Sequence, residues 1–321
     1  MKIIFWGTPG EAVPFLEICA RSHDVPAAVT RPDRPSGRGL AFQPSPVKTA
    51  AGRLQISVLQ PDRPGDALQR LRDLQADLAV VVAYGKIFKP DVLASTRLGF
   101  LNVHFSLLPK YRGAAPIEWS LMRGEKRTGT TLFWLDAGMD TGPVQSRCEV
   151  EIGPDEDSAG LAEKLVRSGT AALEKVLADV AAGAIRREPQ AGEPSLAPKL
   201  TREDARLDFG RAAFEIHNRV RGLIGGLRAF LKFPQGTVAI LKTRVEETGR
   251  EEPHLARGGN PGSQTPPGTL VRVERERGIL VQCGSGRLWV VEVQPEGKKR
   301  IPAADFVNGL RLRPGDLFHV A

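Results

Sequence analysis

The stretch Leu78-Ala79-Val80-Val81-Val82-Ala83 decides the fold prediction for this chain. It is an uninterrupted apolar run, rich in valine, between Asp77 and Tyr84-Gly85. β-Branched residues favour strands, and a strand without polar alternation is typical of a sheet covered on both faces. The run therefore predicts a central strand of a parallel sheet.

Shorter apolar runs occur on both sides of this strand. They predict further strands at residues 2–6, 25–30, 56–59, 99–103, 129–135 and 143–150. Helices are predicted between them at 12–21 and 64–75, and an amphipathic helix follows at 159–182. This alternation is typical of an α/β fold: a mostly parallel, Rossmann-like sheet with helices on both faces.

The second half of the chain has a different pattern. Residues 189–206 are rich in Pro, Gly and charged residues, and they predict a linker between a catalytic domain at 1–188 and a smaller domain at 207–321. After a helix at 212–221, strand-like runs at 236–241, 268–273, 278–282 and 287–293 alternate with turns. That rhythm predicts a C-terminal β-barrel of the OB-like type.

The net charge of +8 is unevenly distributed over the 321 residues. Residues 1–200 carry 25 Lys and Arg against 23 Asp and Glu, a net +2, and residues 201–321 carry 20 against 14, a net +6. The basic second domain is compatible with a polyanionic partner and equally with a merely basic surface.

The chain has no apolar run long enough to span a membrane. Its first residues form a short strand-like run that Gly and Pro soon interrupt, so they are not expected to act as a signal peptide. Its three cysteines are widely separated, as is typical of reduced thiols. These features predict a cytoplasmic protein.

The strand at 99–103 ends with two polar side chains, Asn102 and His104. Residues i and i+2 of a strand share a face, and ligands of parallel sheets bind at the carboxyl ends of the strands. An amide can stabilise an oxyanion, and an imidazole carries protons near neutral pH. A carboxylate would complete the set; Asp140 is the best candidate and Asp136 is its rival. Together they suit acyl transfer to an amine.

Other chemistries have little support. Gly7-Thr8-Pro9-Gly10 lacks the spacing of a dinucleotide-binding loop, and the chain has no phosphate-binding P-loop motif. His and Cys show no metal-ligand spacing, so no metal is expected. The loop at 31–39 contains three arginines, whose planar groups suit phosphate, although a solvated surface loop is an even alternative.

Several motifs in order resemble the folate-dependent formyltransferases, especially those that act on methionyl-tRNA. They are Asn102-x-His104 followed by Ser106-Leu107-Leu108-Pro109, then 111–117 (YRGAAPI), Asp140-Thr141-Gly142, and the segments 5–9 (FWGTP), 32–39 (PDRPSGRG) and 80–85 (VVVAYG). The resemblance covers the first 180 residues well and is weaker afterwards. One departure is Phe105, which stands where the family usually has glycine.

The resemblance implies transfer of the formyl group of 10-formyltetrahydrofolate, a co-substrate, to the amine of initiator methionyl-tRNA for translation initiation. Asn102, His104 and Asp140 would be catalytic. The folate would contact eight residues: Ser106, Leu107, Leu108, Pro109, Tyr84, Gly85, Lys86 and Ile87. The tRNA would contact Arg38, Arg34, Lys298 and Lys299. A monomer with no metal and no membrane association is expected.

Three alternative functions are compatible with the sequence. A related formyltransferase could act on a small amine, such as a sugar nucleotide or glycinamide ribonucleotide. Water could replace the amine, which would give folate hydrolysis. A catalytically silent RNA-binding protein could retain the fold, although the intact Asn102, His104 and Asp140 argue against it.

Overall fold

The computed structural model describes residues 1–36, 41–246 and 265–318. The chain divides into two compact units. The first unit contains residues 1–116, 127–151 and 161–199, and the second contains residues 117–126, 152–160 and 200–321. Arg38, one of the expected tRNA contacts, lies outside the described residues.

The first unit is built on strands that alternate with helices. Its strands are β1 (Lys2–Gly7), β2 (Asp24–Val29), β3 (Arg34–Ser36), β4 (Ala41–Gln43), β5 (Ser57–Leu59), β6 (Leu78–Val82), β7 (Phe100–His104), β8 (Arg112–Gly113), β9 (Arg127–Trp134), β10 (Val144–Glu151) and β11 (Leu196–Ala197). The helices along this part of the chain are α1 (Val13–Ser22), α2 (Pro46–Arg53), α3 (Leu68–Asp73), α4 (Pro90–Leu93), α5 (Pro116–Met122) and α6 (Ser158–Ala181), and 3-10 turns lie at Gly10–Ala12 and Pro64–Ala67.

Seven of these strands form the main sheet, in the order β10-β9-β7-β6-β1-β2-β5. The five strands from β7 to β5 run parallel to their neighbours, whereas β9 and β10 are antiparallel. All five residues of β6 are buried, because helices cover both faces of the central strands. On one face, Trp6 and Val81 pack with Leu71 of α3 and Val92 of α4.

The N-terminus of helix α2 is fixed by a capping serine followed by a proline. The Ser45 side chain accepts a hydrogen bond from Lys48 N at 3.0 Å, and Pro46 follows at the first helical position. An N-cap hydroxyl satisfies a backbone N–H that the helix itself leaves without an acceptor, and proline is favoured directly after it. The Ser45 hydroxyl also lies 2.7 Å from that of Thr30, so it anchors α2 to the end of β2.

Loss of this cap is expected to destabilise the protein measurably. Ser45→Ala should lower the free energy of unfolding by about 1 kcal/mol, because Lys48 N loses its acceptor. Urea titration followed by circular dichroism measures this change. Ser57→Ala, at an exposed serine of β5, is the matched control and should change it by less than about 0.5 kcal/mol. Equal effects of the two substitutions would contradict the capping role.

The second unit is an antiparallel sheet with a small number of helices. Its strands are β12 (Phe230–Phe233), β13 (Gly236–Val245), β14 (Leu270–Glu274), β15 (Gly278–Gln282), β16 (Arg287–Pro295) and β17 (Ile301–Pro302), and its further helices are α7 (Ala213–Leu223) and α8 (Ala303–Gly309), with a 3-10 turn at Glu203–Ala205. The strand order is β12-β13-β16-β15-β14, and β17 pairs with β16. Side chains from α7 and α8, among them Ile216 and Val307, complete its core together with Phe318.

The fold class is confirmed: a mostly parallel, Rossmann-like sheet with helices precedes a C-terminal antiparallel sheet. Several short elements were not predicted, including α2, α4, β8 and β11. They contain two to eight residues, too few to show a hydrophobic period. Within the described residues, no helix combines the length and the apolar character needed to cross a bilayer.

Candidate active site

The carboxyl end of β7 carries Asn102 and His104 in the middle of the main sheet. There, β7 lies between β6, which is parallel to it, and β9, which is antiparallel. Asn102 pairs with Phe133 and His104 pairs with Thr131 across to β9. The strand period of two places both polar side chains on the same face, as the sequence predicts.

Backbone and carboxylate partners hold the His104 ring. It is buried, with 6% of its surface exposed, and its Nε2 lies 2.8 Å from the carbonyl oxygen of Tyr111. A carbonyl only accepts hydrogen bonds, so Nε2 carries the hydrogen and the neutral ring keeps a lone pair on Nδ1. Nδ1 lies 3.7 Å from Oδ2 of Asp140. The lone pair is therefore available to accept a proton beside a carboxylate.

The two candidate carboxylates occupy different environments. Asp140 Oδ2 accepts a hydrogen bond of 2.7 Å from Gly113 N and faces His104. Asp136 accepts hydrogen bonds from Gly138 N at 3.0 Å and from the Thr141 hydroxyl at 2.7 Å, so it holds its own turn together. The structure brings Asp140 and His104 together, and it places Asp136 in a structural position.

Gly113 is required where it contacts Asp140. Its φ of +124° lies in a region that other residues rarely adopt. A Cβ at this position would come within 2.6 Å of the Ala197 carbonyl oxygen. Only glycine therefore lets this backbone N–H approach the Asp140 carboxylate.

The segment Ser106 to Pro109 follows β7 and is mostly buried. The Ser106 hydroxyl donates to the Lys110 carbonyl at 2.6 Å, and Thr131 Oγ1 donates to the Ser106 carbonyl at 2.6 Å. The same Thr131 oxygen accepts from Leu108 N at 3.1 Å. Leu108 and Pro109 are buried as well, which leaves Leu107 as the partly exposed side chain of the segment. Thr131 of β9 thus fixes the backbone of this loop.

The segment Tyr84 to Ile87 follows β6, at the same edge of the sheet. The Tyr84 ring lies in the core against Trp6 and Phe88, and burial raises the pKa of its hydroxyl to about 12. Lys86 Nζ donates to the Asp62 carbonyl, and the Ile87 side chain is 78% exposed. The segment therefore presents Gly85 and an exposed aliphatic side chain to solvent, while its aromatic ring faces inward.

Arg31 ties this segment to the loop that follows β2. Its Nε donates to the Tyr84 carbonyl at 2.9 Å and its Nη2 donates to the Gly85 carbonyl at 2.6 Å. Two parallel hydrogen bonds from one guanidinium hold the backbone at Gly85, where φ is +70°.

Three of the four expected tRNA contacts, Arg34, Lys298 and Lys299, are exposed in the described part of the chain. Arg34 is exposed at the start of β3, in a hairpin with β4. Lys298 and Lys299 are exposed in the turn between β16 and β17 of the second unit. Among the described residues of the first unit, Arg34 forms no hydrogen bond or ion pair with His104 or Asp140.

Sequence reasoning did not identify several residues that shape the site: Tyr111, Gly113, Thr131 and Gln190. Tyr111 and Thr131 act through a backbone carbonyl and a hydroxyl that bond within the loop, and local pattern gives no signal for either. Gln190 donates to the carbonyl oxygens of Asp140 and Gly142, although it is 50 residues away in the chain. The motif at 111–117 contains both Tyr111 and Gly113, but the sequence alone assigns neither of them a role in the site.

The Asn102 amide forms no hydrogen bond to the described part of the chain, so its donors are free for a ligand. Over the same residues, no cluster of three or more His, Cys, Asp or Glu side chains is placed to hold a metal ion. The site thus consists of an amide with free donors, an imidazole with a lone pair and a carboxylate. This combination can accept a proton and stabilise an oxyanion.

Comparison with known proteins gives two family matches. Residues 1–177 match the family described as formyl transferase, and residues 199–311 match the formyl transferase C-terminal domain. A methionyl-tRNA formyltransferase from Solibacter usitatus is 44% identical over 316 residues, which cover 97% of this chain and 96% of that protein.

Two solved structures share the fold at lower identity. An N-formyltransferase from Helicobacter canadensis, in complex with folinic acid and dTDP-3-aminofucose, is 18% identical with a TM-score of 0.66, over 90% of this chain and 98% of that one. HypX from Aquifex aeolicus, in complex with tetrahydrofolic acid, is 16% identical with a TM-score of 0.63 over 96% of this chain. The chain spans about half of HypX, 47% of its length.

Proposed function

The chain belongs to the formyltransferase family, and we propose that it transfers the formyl group of 10-formyltetrahydrofolate to the amino group of initiator methionyl-tRNA. The substrate assignment is supported by the 44% identity to a methionyl-tRNA formyltransferase over nearly the full length of both chains. The product, N-formylmethionyl-tRNA, would serve translation initiation in the cytoplasm.

One observation carries the proposed chemistry: Nδ1 of His104 lies 3.7 Å from the Asp140 carboxylate. The hydrogen bond from Nε2 to the Tyr111 carbonyl leaves the Nδ1 lone pair free to act as a base. When Nδ1 accepts a proton, the nearby carboxylate stabilises the resulting positive charge, more strongly in this buried site than in water. Amine activation needs such a base.

The reaction then follows from the bonds that change. The neutral amine of the methionyl group attacks the formyl carbon, and a new C–N bond forms while the carbonyl oxygen becomes an oxyanion. His104 takes a proton from the attacking nitrogen, and the Asn102 amide and the now protonated His104 stabilise this oxyanion. His104 then returns the proton to N10 of the folate. The oxyanion re-forms the carbonyl as the bond between N10 and the formyl carbon breaks, and N10 leaves with that electron pair. The products are formylated amine and tetrahydrofolate.

We propose that the folate lies along two loops at the carboxyl edge of the sheet. One comprises Ser106, Leu107, Leu108 and Pro109, and the other comprises Tyr84, Gly85, Lys86 and Ile87. The exposed Ile87 and the partly exposed Leu107 offer apolar surface, and the backbone of each loop is held in place, by Arg31 or by Thr131. Fixed backbone polar groups beside apolar side chains suit a flat heteroaromatic ligand.

We propose that the tRNA contacts Arg34, Arg38, Lys298 and Lys299, and that residues 207–321 form a tRNA-binding domain after a linker at 189–206. The net charge of +6 over residues 201–321 supports this assignment. Lysine and arginine contacts to phosphates release counterions, which makes binding sensitive to salt.

Removing the two lysines is expected to weaken tRNA use. The double variant Lys298→Ala and Lys299→Ala should raise KM for methionyl-tRNA and reduce the slope of log KM against log salt concentration by roughly 1 to 2. KM for the folate should not change. Initial rates measured over a series of KCl concentrations give both values. Lys175→Ala, an exposed lysine of α6, is the control, and a slope equal to that of the wild type would refute the contact.

The decisive experiment offers the protein different amines. It is incubated with 10-formyltetrahydrofolate and either methionyl-tRNA, an amino sugar nucleotide or glycinamide ribonucleotide, and acid gel electrophoresis or mass spectrometry detects the formylated product. Formylation of methionyl-tRNA alone is the expected result. Preferential formylation of a small amine would contradict the substrate assignment, and release of formate without an amine would indicate hydrolysis.

A further inference from the structure

We propose that Gln190 is a positioning residue that holds Asp140 against His104, so that the segment between the two family-matched regions completes the active site. This inference rests on the proposed function. Gln190 lies after residue 177, where the first family match ends, and before residue 199, where the second begins. Its side chain nevertheless contacts the backbone of the catalytic loop.

The conformation of Asp140 needs external support. Its φ is +54°, in the left-handed region that residues other than glycine seldom adopt. Aspartate tolerates this region better than most residues, but such a conformation persists only when the surroundings hold it. The direction of the Asp140 side chain follows from this backbone conformation, so whatever holds the backbone also aims the carboxylate.

The Gln190 amide supplies this support directly. Its Nε2 donates to the carbonyl oxygen of Asp140 at 2.8 Å and to that of Gly142 at 2.9 Å. These carbonyls belong to the residues on either side of Thr141, so one NH₂ group bonds to both sides of the turn. A glutamine amide has two N–H donors, and both are used here.

The Gln190 side chain is itself held from the other side. Its Oε1 accepts hydrogen bonds from Arg112 Nε at 3.2 Å and Nη2 at 2.7 Å. With Oε1 occupied by two guanidinium donors, the amide can only present its N–H groups to the loop. Arg112 therefore determines which way the Gln190 amide is oriented.

These contacts close a ring around Asp140. Gly113, which donates to the Asp140 carboxylate, is the direct neighbour of Arg112 in β8. Strand β8 thus holds the Asp140 carboxylate through Gly113. It holds the backbone of the Asp140 loop through Arg112, which acts by way of Gln190. Hydrogen bonds therefore link both the carboxylate and the backbone of Asp140 to the same short strand, and they fix the distance from Asp140 to His104.

The segment that carries Gln190 is anchored on both sides of it. Glu188 exchanges two backbone hydrogen bonds with Val144 at the start of β10, at 2.7 and 3.0 Å. Leu196 and Ala197 form β11, which pairs with β8. The Pro- and Gly-rich composition of this stretch predicts a free connection, yet here its backbone is fixed against the sheet, and Gln190 is delivered to a defined place.

Loss of Gln190 is expected to affect kcat and not substrate binding. The Gln190 amide is committed to hydrogen bonds with Arg112, Asp140 and Gly142, so its loss should leave KM for either substrate little changed. It should lower kcat, because a displaced carboxylate no longer stabilises the imidazolium. Misplacement of a catalytic group by about 1 Å can cost as much as 100-fold, so we expect a loss of about 10- to 100-fold in kcat for Gln190→Ala.

A double-mutant cycle with Asp140→Asn tests the proposal against a purely structural role. Single-turnover rates of formyl transfer are measured for wild type, Gln190→Ala, Asp140→Asn and the double variant, and thermal unfolding checks that each is folded. If Gln190 acts through the Asp140 carboxylate, its substitution should change the rate by less than about twofold once that carboxylate is gone. The same fold-loss in both backgrounds would overturn the proposal, as would a folded Gln190→Ala enzyme with wild-type kcat.

Two further variants keep the test decisive. Gln190→Glu retains the acceptor for Arg112 but faces the two carbonyl oxygens with an oxygen in place of N–H groups. Its kcat should therefore fall as far as that of Gln190→Ala. This variant replaces Gln190→Ala in the test if the alanine variant fails to fold. Gln69→Ala removes an exposed glutamine that bonds to Asp73 on α3, and its kcat should match that of the wild type. An inactive wild-type protein would instead refute the proposed function, which separates the two failures.

Discussion

Replacing His104 with alanine is expected to reduce kcat for formyl transfer by about 10²- to 10⁴-fold, the range that a positioned general base contributes. The substitution removes the Nδ1 lone pair beside Asp140, and with it the base that we assign to take the proton of the attacking amine. His104 is buried and bonds to the Tyr111 carbonyl, within the sheet edge. Binding of methionyl-tRNA should therefore remain within about twofold of the wild type.

A second substitution separates the base from the hydrogen bond. His104→Gln can still donate to the Tyr111 carbonyl, but its amide has no basic nitrogen, so we expect kcat to fall as far as it does for alanine. Rapid-quench measurements with formyl-labelled folate give the rate of the chemical step. A glutamine variant with nearly wild-type kcat would show that the ring serves structure and does not transfer protons.

His23→Ala is the matched control. His23 ends α1 and precedes β2, at the amino end of the parallel strands, whereas Asn102 and His104 lie at the carboxyl end. Substituting it changes the same residue type in the same unit without touching the site, so kcat should be unchanged. If His23→Ala and His104→Ala lost activity equally, the loss would reflect folding and not chemistry.

The sequence predicts the strands that carry this site because short stretches of sequence encode them. The apolar run at 78–83 identifies the central strand β6, and the spacing of Asn102 and His104 places two polar groups on one face of β7. Strand period and the carboxyl-edge rule are sufficient for both inferences. Neither depends on a contact with a distant part of the chain.

The contacts that complete the site could not be predicted, because they join residues far apart in the chain. Composition alone suggests a turn for both Asp136 and Asp140. The family motif favours Asp140, and the Gly113 N–H and the position of His104 give the physical reason. Gln190 lies among Pro and Gly residues without hydrophobic period, so no local signal shows that it reaches Asp140. The inward position of the Tyr84 ring likewise depends on packing with Trp6, which is 78 residues earlier.

Replacing Asn102 with alanine is expected to lower kcat by about 10²- to 10³-fold, the effect of losing one oxyanion donor. The amide stands at the end of β7 without a hydrogen bond to the described residues, so its donors are not committed to the fold. An interaction that forms only when the formyl oxygen becomes negative lowers kcat and kcat/KM together when it is removed. KM for the folate should therefore change by less than about threefold.

Asn102→Asp gives the sharper comparison, because it changes the charge with little change in shape. A carboxylate at this position presents acceptors to the developing oxyanion, so the loss in kcat should equal or exceed that of alanine at neutral pH. Asn308→Ala, at an exposed position of α8, controls for removal of an asparagine. If folded Asn102→Ala turned over within about twofold of the wild type, the oxyanion would have to be stabilised by His104 alone, and the role of the amide would be abandoned.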